Sequence, residues 1–234
     1  ECFYRGNSLG VNSIASHPPA TSERWKVEIF LEIGEIEQED QKLLAPQVIP
    51  SDFPEWETKM NKWGGHMYDA VRTASEAIAI GLDLERGTFT SMRMEGVAVA
   101  PTGSDLDKYT QKNDILAGFH YGNFQLQTLI LDLNFITIHG KSKFPGLYIW
   151  LRNGEKRAVK IPDGCLLIQA AKQFEYLTAG YFYAGFHEVI VSDGTLEKAQ
   201  EARENNRSTW RVSSTLFSGF NYKHTLQPLP KFQN

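Results

Sequence analysis

The stretch that decides the fold runs from Phe119 to Trp150 and reads FHYGNFQLQTLILDLNFITIHGKSKFPGLYIW. It opens with His120 at the head of an apolar run rich in residues that favour β-strands. A second histidine, His187, follows in Gly-Phe-His-Glu-Val, and Arg211 follows later in Arg-Val-Ser. These two histidines and the arginine, all in strand-like segments, are the first candidate functional residues.

The composition narrows the class of protein. A length of 234 residues with 41% apolar residues is sufficient for one domain with a sizeable core. A formal net charge of −4 argues against nucleic-acid binding, and no apolar run is long enough to span a membrane. A cytoplasmic location is the default expectation, and Cys165 is expected to be buried. The chain begins with Glu-Cys-Phe, which fits a fragment or a processed product.

A helical pattern follows the three prolines at positions 46, 50 and 54. Apolar residues recur at three- and four-residue steps from Trp56 to Leu82, and glycines at 81 and 87 stand where helices commonly end. The spacing predicts an amphipathic helix of about 25 residues that packs on a large surface.

Beyond residue 87 the sequence predicts many short strands at spacings of roughly ten residues, which is typical of a β-sandwich or barrel. Residues 101–105 are predicted to form a turn, residues 195–206 a solvent-facing helix, and residues 25–33 a strand or an extended arm. The strand candidates are 92–100, 118–121, 134–139, 146–151, 158–161, 165–170, 181–186, 188–191 and 209–217.

The candidate side chains are of the types that hold non-haem iron and a 2-oxo acid. Such iron sites use two histidines and one carboxylate on one face and leave three positions open. The far carboxylate of a 2-oxo acid needs a fixed, permanently charged fork, which arginine supplies. Ser213 lies two residues after Arg211, on the same side of an extended strand, and can share that carboxylate.

These motifs resemble a known family. From residue 52 to residue 217 the chain resembles the isopenicillin-N-synthase-like family of Fe(II)- and 2-oxoglutarate-dependent dioxygenases. The segment around His187 is similar to the family's distal H-R-V motif, with Glu188 in place of the arginine. Arg211-x-Ser213 matches the family's R-x-S signature, and the long helix resembles the one that backs the family's sheets.

The resemblance implies a fold and a division of the chain. The fold would be mainly β with supporting helices: a double-stranded β-helix (jelly roll) with a long backing α-helix. The oxygenase domain would span residues 54–226. Residues 1–53 would be a lead-in, which fits a remnant of a truncated N-terminal region, and residues 227–234 a tail.

The resemblance also implies a reaction and a site. The enzyme would oxidise a small organic substrate with Fe(II) as cofactor and 2-oxoglutarate and O₂ as co-substrates, releasing succinate and CO₂. No catalytic residue beyond the metal ligands is implied. The metal ligands would be His120, Asp132 and His187, and the residues that bind 2-oxoglutarate would be Arg211 and Ser213.

The first ligand pair departs from the family's H-x-D pattern, because this chain has His120-Tyr121-Gly122. In one interpretation, residues 122–131 are a ten-residue insertion whose removal restores His-Tyr-Asp, with Asp132 as the carboxylate. In the other, the chain has a true H-x-G, similar to the 2-oxoglutarate halogenases, where a halide replaces the carboxylate. Insertion is favoured because one deletion repairs the motif and the run after Asp132 continues the family pattern.

An insertion would separate two proposed ligands. A continuous strand from His120 to Asp132 would place them roughly 40 Å apart, so shared ligation requires residues 122–131 to loop out and return. That segment contains no proline and alternates apolar residues, which favours a strand. A non-catalytic relative with a disrupted iron site is therefore the alternative function. His139, which precedes Gly140, is interpreted as a loop histidine rather than a replacement ligand.

Overall fold

The computed structural model describes residues 51–92, 96–109, 111–117, 130–131, 134–220 and 224–233. His120, Asp132, the strand predicted at 118–121 and the arm predicted at 25–33 lie outside the described residues. Within the described ranges, no helix combines the length and the apolar composition needed to cross a membrane.

The described residues are mainly β, with one long and two shorter helices. The helices are α1 (Trp56–Gly81), α2 (Lys172–Leu177) and α3 (Asp193–Glu204). The strands are β1 (Gly96–Asp105), β2 (Ile115–Ala117), β3 (Ile130–Leu131), β4 (Ile136–His139), β5 (Leu147–Trp150), β6 (Lys156–Ala158), β7 (Leu167–Ala170), β8 (Phe186–Ile190) and β9 (Trp210–Gly219).

Helix α1 forms where the apolar spacing predicts it. Its buried residues recur every three or four positions and so line one face: Gly64, Met67, Val71, Ser75 and Ala79. The helix packs against β9, where Trp63 Nε1 donates a hydrogen bond of 2.7 Å to Ser214 Oγ. The prediction of a long amphipathic helix that backs a sheet is confirmed.

The strands form two antiparallel sheets. The strand order is β1-β9-β4-β7 in the first sheet and β2-β8-β5-β6 in the second, where β3 also pairs with β8. A mainly β fold built on antiparallel sheets is therefore confirmed. Among the described strands no ladder joins the two sheets, so their hydrogen bonds do not close a barrel.

Two clusters of buried hydrophobic residues form the core. The first lies between α1 and the first sheet and includes Met67, Ile138 and Leu216. The second cluster includes Val191 and Ala199. Helix α3 therefore buries one of its sides, which corrects the prediction of a solvent-facing helix. Helix α3 begins at a capping box. Ser192 Oγ accepts a hydrogen bond from the Thr195 backbone N–H, and the Thr195 hydroxyl accepts one from the Ser192 backbone N–H.

Three local predictions are wrong. Residues 101–105 form the second half of β1, paired with β9 throughout. Pro101 is tolerated because, among the described strands, β1 pairs on one side only. Cys165 is exposed, since it follows the turn closed by its backbone N–H and the Pro162 carbonyl. Residues 181–185 form no strand, because Ala179 and Gly180 adopt positive φ and turn the chain after α2.

Candidate active site

The first sheet has two faces of opposite character. One face packs on α1 through apolar residues, including Ile138 and Leu216. On the other face the register pairs Thr137 with Gln169, His139 with Thr215, and Ser104 with Arg211. Directly opposite residues of an antiparallel pair project to the same face. We define the polar inner face as these six residues, all of which are buried: Ser104, Thr137, His139, Gln169, Arg211 and Thr215.

The polar inner face meets His187, which projects from β8 of the second sheet and is 5% exposed. Nδ1 of His187 lies 2.9 Å from Nε2 of Gln169, which also donates to the Gly185 carbonyl at 3.1 Å. The ring centroids of His187 and His139 are 5.7 Å apart, with their planes at 73°. Side chains from both sheets therefore converge on one buried point.

Burial controls the charge of His187. Burial lowers the pKa of His187 to about 4, because an imidazolium loses its hydration inside the protein. The hydrogen bond with the Gly185 backbone opposes this shift by favouring the protonated ring. The imidazole is therefore neutral at pH 7. A neutral imidazole is the form that binds a metal.

This shift predicts a loss of stability in mild acid. Unfolded His187 binds a proton near pH 6.5 and the folded residue near pH 4, so the unfolded chain holds more protons between these values. The metal-free protein should lose stability as pH falls through this window, by up to about 3 kcal/mol. Urea unfolding at pH 7, 6 and 5 with a chelator present measures this loss.

The matched control is an exposed histidine on α1. The variant His187→Gln should flatten the pH dependence, whereas His66→Gln should leave it unchanged because His66 is exposed. Equal pH dependence in the wild type and in His187→Gln would contradict the assignment.

Arg211 is the buried charge of the polar inner face. It is 7% exposed, and burial lowers the pKa of Arg211 to about 10, so the guanidinium is still charged at pH 7. Among the described residues it makes no hydrogen bond or ion pair, and its Nε is buried without a partner, as is Thr137 Oγ1. An isolated buried charge is costly. The arrangement therefore fits an anionic ligand such as a carboxylate.

Ser213 keeps the position relative to Arg211 that the sequence predicts. It lies on β9 between Arg211 and Thr215, two residues from each, and is half-buried. Since side chains alternate along a strand, all three project to the same side. The structure therefore brings the two predicted 2-oxoglutarate residues onto one face.

Strand β3 directly precedes Asp132, the carboxylate of the interrupted H-x-D motif. Ile130 pairs directly with His187, and Leu131 pairs with Phe186. Counted back from Asp132, Ile130 holds the histidine position of an H-x-D motif, and isoleucine is a residue type that cannot bind a metal. Among the described residues, no three His, Cys, Asp or Glu side chains form a metal-binding group. Of the three predicted ligands, only His187 lies in the described part, and its neutral, buried imidazole fits one position of an iron site.

The prediction of a loop histidine at position 139 is wrong. His139 is the last residue of β4, pairs with Thr215 and is 8% exposed, so it is not a loop histidine. Its Nδ1 lies 3.4 Å from Thr215 Oγ1. The alternation of Thr137 and His139 along a strand-like segment is the sequence signal for this position.

Glu188 lies outside the site. As the next residue of β8 it projects to the opposite face from His187. There it is buried and forms an ion pair with Lys156, whose ammonium lies 4.6 Å from the Tyr148 ring centroid. The residue that departs from the family's distal motif therefore does not face the polar inner face.

No protein-family model and no curated protein sequence matches the chain, but solved structures do. A protein assigned to the 2OG-Fe(II) oxygenase family, from Caulobacter crescentus, is 20% identical, with a TM-score of 0.69 over 91% of this chain and 62% of that one. A full-length Neurospora crassa protein in complex with alpha-KG and thymine is 14% identical, with a TM-score of 0.66 over 96% and 61%. The dioxygenase for auxin oxidation 1 from Arabidopsis thaliana, in its 2-oxoglutarate complex, is 14% identical, with a TM-score of 0.64 over 99% and 76%.

These similarities establish the fold. The two antiparallel sheets and the backing helix have the arrangement found in 2-oxoglutarate and Fe(II) oxygenase structures. The chain spans 62% and 61% of the lengths of the first two structures.

Proposed function

We propose that the chain is an Fe(II)- and 2-oxoglutarate-dependent dioxygenase of the isopenicillin-N-synthase-like type, with a jelly-roll core and a small organic substrate. The observation that carries the proposal is Arg211, a buried guanidinium without a partner among the described residues, on a face that also meets His187. The fold shared with 2-oxoglutarate oxygenase structures supports it. When bound, iron and 2-oxoglutarate would together supply oxidation by O₂, with release of succinate and CO₂.

Arg211 and Ser213 would bind the far carboxylate of 2-oxoglutarate. A guanidinium offers two parallel N–H donors that match a carboxylate. Its positive charge compensates the carboxylate for the hydration that it loses on burial. Ser213 lies on the same side of β9 and adds a hydroxyl donor. These two residues would position the co-substrate on the polar inner face, whose six residues are all buried.

His187 would supply one metal ligand. Its ring is held by Gln169 and Gly185 on the Nδ1 side, and such hydrogen bonds orient the ring of a ligating histidine. The other two ligands in this proposal are His120 and Asp132, which rest on the family resemblance.

A second function is favoured by the pairing of β3. Because Ile130 holds the position opposite His187, the chain would be a non-catalytic relative whose iron site is interrupted. That protein would still bind a dicarboxylate at Arg211 but would not turn it over.

Succinate release separates these two functions. The chain should release succinate from 2-oxoglutarate in the presence of Fe(II), ascorbate and O₂, and His187→Ala should abolish the release while the exposed His66→Ala does not. Binding of 2-oxoglutarate without succinate release would favour the non-catalytic relative. Absence of binding would contradict both.

A further inference from the structure

His139 and His187 form a pair of buried imidazoles contributed by different sheets. His139 ends β4 of the first sheet and His187 lies in β8 of the second, and their exposed fractions are 8% and 5%. The rings meet edge to face with centroids 5.7 Å apart. The contact joins the two sheets at the point where the polar inner face meets β8.

The separation of the rings suits a shared metal ion. With metal–nitrogen bonds of about 2.0–2.1 Å, two imidazoles on one ion have ring centroids roughly 4.5–6.4 Å apart, for angles from 90° to 180° at the metal. The observed 5.7 Å falls within this interval. The separation of the two ring centroids therefore fits two imidazoles on a common ion.

The hydrogen bonds of both rings favour ligation through Nε2. Nδ1 of His187 is held by Gln169, beside the Gly185 carbonyl, and Nδ1 of His139 lies 3.4 Å from Thr215 Oγ1. An ion on Nε2 leaves the proton on Nδ1, so that Nδ1 of His139 can donate to Thr215 Oγ1 and Nδ1 of His187 can donate to the Gly185 carbonyl. The amide NH2 of Gln169 cannot accept a hydrogen bond, so the Gln169 side chain would turn its oxygen toward His187. Ligating histidines commonly use their second nitrogen in this way, which fixes the orientation of the ring.

The pairing of β8 explains why His139 would be needed. The neighbouring strand places Ile130 opposite His187, where an H-x-D motif would place its histidine. Within the described residues, the histidine in contact with His187 is His139, which approaches from the opposite sheet.

We propose that in this chain His139 takes the ligand position that the family resemblance gives to His120, and forms with His187 a two-imidazole site for a divalent transition ion. Imidazole pairs suit Fe(II), Co(II), Zn(II) and Cu(II), with water or a carboxylate at the remaining positions. The inference rests on the proposed function for the identity of the ion as Fe(II). Binding by the histidine pair itself requires neither 2-oxoglutarate nor turnover.

Copper(II) is the probe, because electron spin-echo envelope modulation counts bound imidazoles through their remote nitrogens. The full chain with one equivalent of Cu(II) should show two imidazoles, and His139→Leu and His187→Leu should each show one. Copper affinity should fall by more than about 100-fold in each variant, since loss of an outer-shell partner alone costs 10- to 100-fold. The exposed His66→Leu is the matched control and should match the wild type.

Two results would overturn the proposal. One is two imidazoles in His139→Leu at unchanged affinity, which would assign the second ligand to another histidine such as His120. The other is a wild-type spectrum with one imidazole or none. His139→Gln, which keeps a polar side chain, replaces His139→Leu if circular dichroism shows that the latter is unfolded. Because no 2-oxoglutarate is present, failure of this test is independent of the succinate assay.

Discussion

Replacement of Arg211 by methionine is expected to weaken 2-oxoglutarate binding strongly without lowering the stability of the protein. Loss of one partner of a buried charge pair costs 2–5 kcal/mol, so affinity should fall roughly 30-fold to several thousand-fold. The ligand-free protein should be as stable as the wild type or more stable, because Arg211 is buried without a counter-charge among the described residues. Isothermal titration calorimetry and thermal unfolding of both proteins measure these two effects.

Two variants control this experiment. Arg207 lies four residues before Arg211, is exposed and pairs with Glu201, so Arg207→Met should leave 2-oxoglutarate affinity unchanged. Ser213→Ala should weaken binding by less than Arg211→Met, because it removes a neutral donor only. A variant Arg211→Met that is strongly destabilised yet binds normally would show that the arginine has a structural role.

Deletion of residues 122–131 is expected to strengthen Fe(II) binding. The deletion joins Tyr121 to Asp132, so that His120 stands two residues before the carboxylate, at the place that Ile130 holds opposite His187. The gain in affinity should exceed about 100-fold, because a complete ligand is added and outer-shell groups alone contribute 10- to 100-fold. Anaerobic competition with a fluorescent Fe(II) chelator measures the gain.

The deletion also decides between insertion and H-x-G. If Asp132 is the carboxylate, Asp132→Ala in the shortened chain should reverse the gain. If Asp132→Ala in the full chain, which keeps Gly122, binds iron as tightly as the wild type and product formation requires chloride, the halogenase-like interpretation is correct. No gain on deletion would count against the insertion.

The helix and most strands could be predicted because local pattern and tertiary environment agree. In α1 the apolar period matches the face that packs on β9, so helix propensity and burial favour the same structure. In β1, the local composition and the tertiary pairing favour different structures. The composition Pro-Thr-Gly-Ser-Asp favours a turn, but pairing with β9 along the strand overrides it. Pro101 is accommodated because β1 is at the edge of the sheet as far as the described strands extend.

The site could be predicted only where its residues lie in sequence motifs. Arg211 and Ser213 share a face because they are two apart on one strand, which the sequence states directly. The contact of His139 with His187 depends on how two sheets face each other, and no local pattern encodes that packing. The pairing of Ile130 with His187 is likewise a long-range property of the chain.

The proposed function requires that this fold hold 2-oxoglutarate on iron, with Arg211 binding the far carboxylate. The most direct test is the visible charge-transfer absorption that appears when a 2-oxo acid chelates protein-bound Fe(II) without oxygen. 2-Oxoglutarate should produce this band with the Fe(II)-loaded chain, and more strongly with residues 122–131 deleted, whereas Arg211→Met should remove it. Absence of the band in both the full and the shortened chain, or its persistence in Arg211→Met, would contradict the proposed function.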